Sequence, residues 1–447
     1  GWDSITTEHL QYCHALLPCI LSKLFNLMVT VGHMPSDFCK SYTVPLLKGN
    51  SSTYAKTVNA NDFRGISISP VLSKVFEHCI LQRYSTFLTS SENQFGFKKK
   101  PGCVHAIYTL KCIVDYYASN NSTVNLCALD LSKAFDKMNH HALFSKLMKR
   151  HIPVSILRIL EIWFQSSITC VKWGNCFSEF FKLTCGIRQG GVLSPHLFAV
   201  YIDSVIEKIT ASEFGCEINW AKVGILVYAD DIILLAPSLH SLQSLLRICE
   251  TELNCLAMTI NVSKSACMRV GPDWQNKPTN ITTCDGNDIL WLPSVRYLGV
   301  YIAANRVFRC VFDNAKKSFY RAFNAVFGKI GGRASEEVVL HIMKSKCMPL
   351  LLYGLEVCPM KKRQLNSLEF VLTNCFMKIF KTKSKDVVIE CMSFFDFPNI
   401  GTAINARREK FLRKFIVNFN VNSVCCIFIA AAQTELNVVR ALLRCVN

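Results

Sequence analysis

Two adjacent carboxylates, Asp230 and Asp231, close the tetrad Tyr228-Ala229-Asp230-Asp231 in a run that is otherwise apolar on both sides. Val223-Gly224-Ile225-Leu226-Val227 leads into it and Ile232-Ile233-Leu234-Leu235 leads out. The pattern predicts two buried strands joined by a tight acidic turn. Carboxylates in such surroundings are costly unless a cation or a charged partner compensates them. Asp-Asp also occurs in ordinary hairpin turns, and a third acid tips the balance. Asp130 ends the apolar segment Val124-Asn125-Leu126-Cys127-Ala128-Leu129 and precedes Leu131-Ser132-Lys133-Ala134-Phe135-Asp136, where helical character begins. An acid at the C-terminal end of a strand, facing a hairpin that carries two more, makes a hard-oxygen cage suited to a pair of Mg²⁺ ions, with Mn²⁺ as a substitute. The chemistry of such a cage is two-metal nucleotidyl transfer.

Further motifs stand in a fixed order along the chain. Asn61-Asp62-Phe63-Arg64-Gly65-Ile66-Ser67 continues to Leu72-Ser73-Lys74-Val75-Phe76-Glu77, and Gln94-Phe95-Gly96-Phe97-Lys98-Lys99 follows. Gly186-Ile187-Arg188-Gln189-Gly190-Gly191-Val192-Leu193-Ser194-Pro195 lies between the acids. Ile260-Asn261-Val262-Ser263-Lys264-Ser265 and Arg296-Tyr297-Leu298-Gly299-Val300 come after them. In this order the series resembles the reverse transcriptases of non-long-terminal-repeat, LINE-type, Jockey-like retrotransposons. The resemblance runs from about the first residue to at least Gly354 and departs from the family's spelling at Lys100-Pro101-Gly102-Cys103.

The resemblance implies an α+β fold: a right-hand polymerase whose palm is an antiparallel sheet backed by helices, with fingers and a helical thumb. Asp130, Asp230 and Asp231 would be the metal-binding catalytic acids, and Lys264 a proton donor or phosphate contact. Arg64, Lys133, Ala134, Phe135, Gln189 and Gly190 would face the nucleotide. In this group Arg64 offers a bidentate guanidinium, and the amides of Lys133 and Ala134 offer a turn into a helix. The Phe135 ring would exclude a 2′-hydroxyl. Lys98, Lys99, Tyr228, Tyr297, Leu298 and Gly299 would contact template or primer, and Asp136 receives no catalytic role. The implied partners are an RNA template, a DNA primer or target and deoxynucleoside triphosphates, without a membrane, and the endonuclease domain or protein is expected outside this chain. The implied location is a ribonucleoprotein of nucleus and cytoplasm rather than a secreted form. Two other readings stand beside it: a group II intron maturase-like enzyme, and a mobile-element-derived binding protein without activity.

Composition agrees. The chain has 447 residues, half of them hydrophobic, and a formal charge of +18, which favours a polyanionic partner. Its 23 cysteines are scattered through apolar segments, which predicts reduced core thiols. None stands in a Cys-x-x-Cys pair or a Cys/His knuckle at zinc-ligand spacing. The uncharged stretch around Val424 to Ile429, preceded by Asn418, Asn420, Asn422 and Ser423, reads as a buried helix or strand.

The order of elements follows. Residues 1–40 read as a helical extension, 41–123 as fingers, 124–303 as palm with the primer hairpin, 304–400 as thumb and 401–447 as a basic helical segment. In the thumb a helix is expected from Asp313 to Ile330, closed by Gly331-Gly332, and another from Glu336 to Leu352. Asn405 to Val417 reads as a short helix whose bases form either a solvated face or a phosphate contact. The first residues, Gly1-Trp2-Asp3-Ser4-Ile5 without an initiator Met, suggest a piece of a longer polyprotein.

Overall fold

The computed structural model describes residues 1–48, 59–276, 278–419 and 424–444; Asn420, Asn422 and Ser423 lie outside the described residues. The chain forms two compact units, each assembled from separated segments. The first comprises Gly1–Phe97, Leu131–Lys208 and Ile248–Asn261; the second comprises Lys98–Asp130, Ile209–Arg247 and Val262–Asn447.

The second unit holds a six-stranded sheet in the order Ile281–Thr282, Asp288–Trp291, Ala266–Val270, Val124–Leu129, Asp231–Ala236, Ile225–Tyr228. Its three central strands are antiparallel to one another. Apolar runs such as Ile232 to Ala236 and Val124 to Leu129 have no polar alternation because both faces are covered. The helix Cys103–Ser119 packs on the sheet with nine consecutive buried residues, Ala106 to Val114. A separate antiparallel sheet of Ser294–Tyr297, Val300–Ala303 and Arg309–Val311 follows, and then a run of helices.

The helix expected from Asp313 to Ile330 has those bounds, with Gly331 as its C-cap. The segment from Glu336 to Leu352 is not one regular helix. It is α-helical over Glu336–Ile342, widens into a π-helical turn over Met343–Cys347 and resumes as Met348–Leu351. Pro349 explains the change, since it has no N–H and crowds the carbonyl of the preceding turn, and a wider turn relieves both effects.

The basic segment is part of a longer helix, Ile400–Asn418. Arg407 pairs with Glu356 at 3.3 Å, Arg408 with Glu435 at 2.6 Å and Arg413 with Glu409 at 2.6 Å. Arg408 is thereby tied to the helix Ile429–Arg444, while Arg413 pairs one turn away on its own helix and stays exposed. Val424–Phe428 is a 3₁₀ turn that leads into the helix Ile429–Arg444. By length and composition Val424–Arg444 could cross a membrane. Here it lies along Ile400–Asn418, with Glu435 held between Lys111 and Arg408.

The first unit is built on a five-stranded sheet. Lys40–Leu47 pairs antiparallel with Phe63–Ile68 and parallel with Ile168–Trp173, and two short strands, Cys176–Phe177 and Phe181–Lys182, extend it. A cluster of Phe25, Phe76 and Trp163 rings, with centroids 5.0 and 5.8 Å apart, binds the helices Leu17–Val31, Val71–Arg83 and Val154–Gln165 together.

Leu234 is fully buried in the six-stranded sheet. Leu234→Ala is expected to destabilise the chain by about 2–5 kcal/mol, read as a lower urea midpoint by circular dichroism.

Candidate active site

The acidic turn is a two-residue hairpin. Tyr228 pairs with Asp231 across it, which leaves Ala229 and Asp230 as the connection. Ala229 is buried with φ 58, a left-handed conformation that a side chain disfavours, so the flanking strands must hold the turn in place.

Register then lines up the chemistry. Asp231 to Ala236 runs antiparallel to Val124 to Leu129, with Ile232 opposite Leu129, so the next step puts Asp231 opposite Asp130. On the other side of the Val124–Leu129 strand Ala266 lies opposite Ala128, and the ladder ends there, at the turn that carries Lys264. Opposed residues in an antiparallel sheet share a face, which puts Asp130, Asp231 and Tyr228 in one transverse row. The Lys264 ammonium is 3.8 Å from the Asp130 carboxylate, both partly exposed. The Asp130 amide donates to the buried Ser265 hydroxyl at 3.1 Å, which fixes the end of the strand.

Burial pushes the Asp231 carboxyl up to about 6, and the charges of Asp230 and Asp130 push it the same way, while Arg296 opposes them. Among the described residues no three His, Cys, Asp or Glu side chains converge into a closed metal cage. The donors nonetheless suit a hard divalent cation: the three acids are carboxylates, and their mutual repulsion raises Asp231, an effect that a bound cation would reverse.

Near this row lies the hairpin of Ser294–Tyr297 and Val300–Ala303, since the charge of Arg296 acts on Asp231 and Asp231 in turn acts on the Tyr297 hydroxyl. The Tyr297 ring is buried, so what the hairpin can offer a primer is its turn, Leu298 and Gly299. Lys98 is half-buried and Lys99 exposed. The residues that depart from the family's spelling serve a local purpose. Gly102 caps the helix Cys103–Ser119, and its amide donates to His105 Nδ1 at 3.0 Å.

The remaining sequence-predicted residues belong to the first unit. The loop from Gly186 is zipped onto the residues that follow Lys133: the Gly186 amide donates to Met138 O and the Ile187 amide to Phe135 O, each at 2.8 Å. The Gln189 side chain donates to Asp136 at 3.2 Å, which gives Asp136 its local role. The Ser67 amide donates to Gln189 O at 2.7 Å, joining the loop to the strand that carries the exposed Arg64. Gly190 has φ 128, and a Cβ there would lie 2.4 Å from Ser67 O. The glycine is thus already required by the protein's own backbone.

Phe135 is stacked on the buried Phe198 with centroids 4.4 Å apart, and Phe97 meets it edge-on at 6.3 Å. Its ring is pinned from behind while part of it stays exposed. The turn at Lys133 and Ala134 leads into only one helical turn, Ala134–Lys137, so a long helix dipole does not back these amides.

Two residues that sequence reasoning gave no role hold this loop. Glu77 is buried and accepts the Leu193 amide at 2.7 Å. Burial raises its carboxyl, while the Leu193 and Val192 amides and the nearby Arg188 charge lower it. Arg188 turns inward to the carbonyls of Phe38 and Cys39 and to the Ser167 hydroxyl. A charge on the apolar side of the Val71–Arg83 helix, beside Phe76 and Ile80, was the signal for Glu77.

A folded-state value near 6 means that Asp231 keeps its proton where the unfolded chain has lost it, from about pH 4 to about pH 6. The destabilising charge therefore grows as pH rises through that window and is complete above it. In chelator, Asp231→Asn is expected to raise the unfolding temperature at about pH 7.5 and to lose that advantage near about pH 4. An equal gain at both values would show that shape, and not charge, is responsible.

Residues 49–302, more than half of the chain, match the family model for reverse transcriptase (RNA-dependent DNA polymerase). The chain is similar to the retrovirus-related Pol polyprotein of the type-2 retrotransposable element R2DM of Drosophila melanogaster, 25% identical over 304 residues, covering 65% of this chain and 28% of that protein. It is also similar to the RNA-directed DNA polymerase from mobile element jockey of Drosophila funebris, 24% identical over 419 residues, covering 89% of this chain and 43% of that protein. The chain thus spans less than half the length of either relative. Apo telomerase from Candida tropicalis superposes with a TM-score of 0.45 at 12% identity, over 96% of this chain and 72% of that one. The family match over Asp130, the glycine-flanked loop and the Tyr228–Asp231 hairpin establishes that this chain belongs to the reverse transcriptase family.

Proposed function

We propose that this chain is the RNA-directed DNA polymerase of a non-LTR retrotransposon, copying RNA into cDNA from a DNA 3′ end by two-metal nucleotidyl transfer. The observation that carries the reading is the row that sets Asp130 opposite Asp231, with Asp230 on the adjoining turn, in a chain of this family. Reverse transcriptases use divalent metal ions. When bound, two Mg²⁺ ions, or Mn²⁺ in their place, lower the pKa of the primer 3′-hydroxyl and neutralise the departing pyrophosphate. The donors for them are Asp130 and Asp230, with Asp231 supporting the cage.

The chain's own groups do the rest. Lys264, drawn to Asp130 at 3.8 Å, is within reach to give a proton or a charge to the leaving phosphate. Arg64, exposed on its strand, binds the triphosphate, and the amides of Lys133 and Ala134 assist through a single helical turn. Gln189 and Gly190 form a surface fixed by Ser67 and Asp136 against which the nucleotide packs. Phe135, held by Phe198, closes the space that a 2′-hydroxyl would need. Lys98 and Lys99 steady the template, and Tyr228 with the Leu298-Gly299 turn meets the primer end. The net charge of +18 supports nucleic acid as partner.

In this reading residues 41–123 are fingers, 124–303 palm and 304–400 thumb, after an N-terminal extension and before a C-terminal segment. Priming at a nick in target DNA, cleavage by an endonuclease outside the segment, and residence in a ribonucleoprotein of nucleus and cytoplasm complete the proposal.

Extension of a DNA primer on an RNA template with Mg²⁺ and deoxynucleotides tests it. The chain is expected to synthesise DNA, and the Asp230→Asn, Asp231→Asn variant to lose synthesis while keeping salt-sensitive RNA binding. Absence of synthesis from both, with tight RNA binding retained, would replace the polymerase reading by that of an inactive binding protein. Phe135→Val is expected to admit ribonucleotides, raising their incorporation relative to deoxynucleotides by about tenfold or more. Unchanged discrimination would remove Phe135 from the sugar gate.

A further inference from the structure

The Leu298-Gly299 turn is not self-supporting. Both residues have positive φ, 45 and 87, as a two-residue hairpin between Tyr297 and Val300 demands, and Leu298 is a costly residue in that conformation. Support comes from a remote segment, the turn that follows the helix Met348–Leu351. The Tyr353 hydroxyl donates to Leu298 O at 2.9 Å. The edge of its ring covers Gly299 so closely that a Cβ there would lie 2.9 Å from Tyr353 Cε1. Gly354, φ 72, sits on the next hairpin residue: a Cβ at Gly354 would lie 2.7 Å from Val300 Cγ1. At the far end of the same turn the Cys358 thiol meets that of Cys310, on the strand beside Val300–Ala303, at 2.7 Å.

Burial raises the Tyr353 and Tyr228 hydroxyls, and the Cys103 thiol at the start of the helix Cys103–Ser119 acts on both in the same direction. The Tyr297 hydroxyl, buried without a hydrogen-bond partner, is acted on by Asp231, Cys103 and Tyr228. One side chain therefore meets the Leu298-Gly299 turn at two adjacent residues.

We propose that Tyr353 is a positioning residue for polymerisation: it holds the Leu298-Gly299 turn in place and so places the primer 3′ end for attack. Tyr353 touches no substrate and acts through Leu298 and Gly299. The proposal rests on the polymerase reading, in which that turn meets the primer. Reaction rate is sensitive to such placement, because small displacements of reacting groups are heavily penalised.

The test compares the chain with Tyr353→Phe, which removes one hydroxyl and keeps the ring over Gly299. Hydrogen exchange in the free protein is expected to accelerate about tenfold for the peptide covering residues 294–303, with that covering residues 225–236 unchanged. Single-nucleotide addition is expected to slow about tenfold while primer–template affinity and unfolding temperature stay as in the parent chain. Parental exchange at the hairpin in Tyr353→Phe overturns the proposal. Faster exchange with a parental rate of addition overturns it equally, by showing that the turn does not set the primer. Exchange is read without substrate. A parent chain that extends no primer would refute the polymerase reading, and the exchange arm would still decide whether Tyr353 holds the turn.

Discussion

Repulsion among Asp130, Asp230 and Asp231 at one end of a buried sheet is the constraint on which the rest of the structure depends. Burial first, and then the charges of Asp230 and Asp130, raise the proton affinity of Asp231 to about 6. A sheet tolerates such a cluster only if its apolar strands hold their register against it. Side chains alternate with period two, so a slip of one residue between Val124–Leu129 and Asp231–Ala236 would turn Asp130 away from Asp231. The burial of Val124 to Cys127 and of Ile232 to Ala236 is what prevents the slip, and the Ser265 hydroxyl on the Asp130 amide fixes the strand's end.

The loop from Gly186, in the first unit, follows the same logic with different materials. A loop rich in glycine has little stiffness of its own, and here it is clamped by groups buried for that purpose. Glu77 takes the Leu193 amide, Arg188 takes the carbonyls of Phe38 and Cys39, and Ser67 exchanges contacts with Gln189 and Gly190. Glu77 is buried and Arg188 half-buried, and both are satisfied mainly by backbone groups, so their removal would leave polar atoms unpaired. Phe135 is rigid for an apolar reason, the face of Phe198 behind it.

What was readable in the sequence was whatever short spacing encodes. The acidic hairpin showed as two carboxylates interrupting an apolar run, and the helix Asp313–Ile330 as a periodic stretch ended by Gly331. What could not be read depends on partners distant in the chain. The bases Arg407, Arg408 and Arg413 read as either a solvated face or a phosphate contact, and their partners Glu356, Glu435 and Glu409 could not be foreseen. The glycine at position 190 was legible as a close approach, but that Ser67 makes the approach was not. Tyr353 gave no signal at all, because its partners Leu298 and Gly299 are more than fifty residues away. The break in the Glu336–Leu352 helix was a local feature missed, although Pro349 announced it.

The most direct test of the central claim is to count divalent ions at the acidic row. Electron paramagnetic resonance of Mn²⁺, titrated into the chain with primer–template and a non-extendable nucleotide, reads bound ions independently of turnover. The account predicts two ions bound per chain, and none retained at this site in the Asp130→Asn, Asp230→Asn variant. Saturable Mn²⁺ binding that is unchanged by loss of both carboxylates would contradict it.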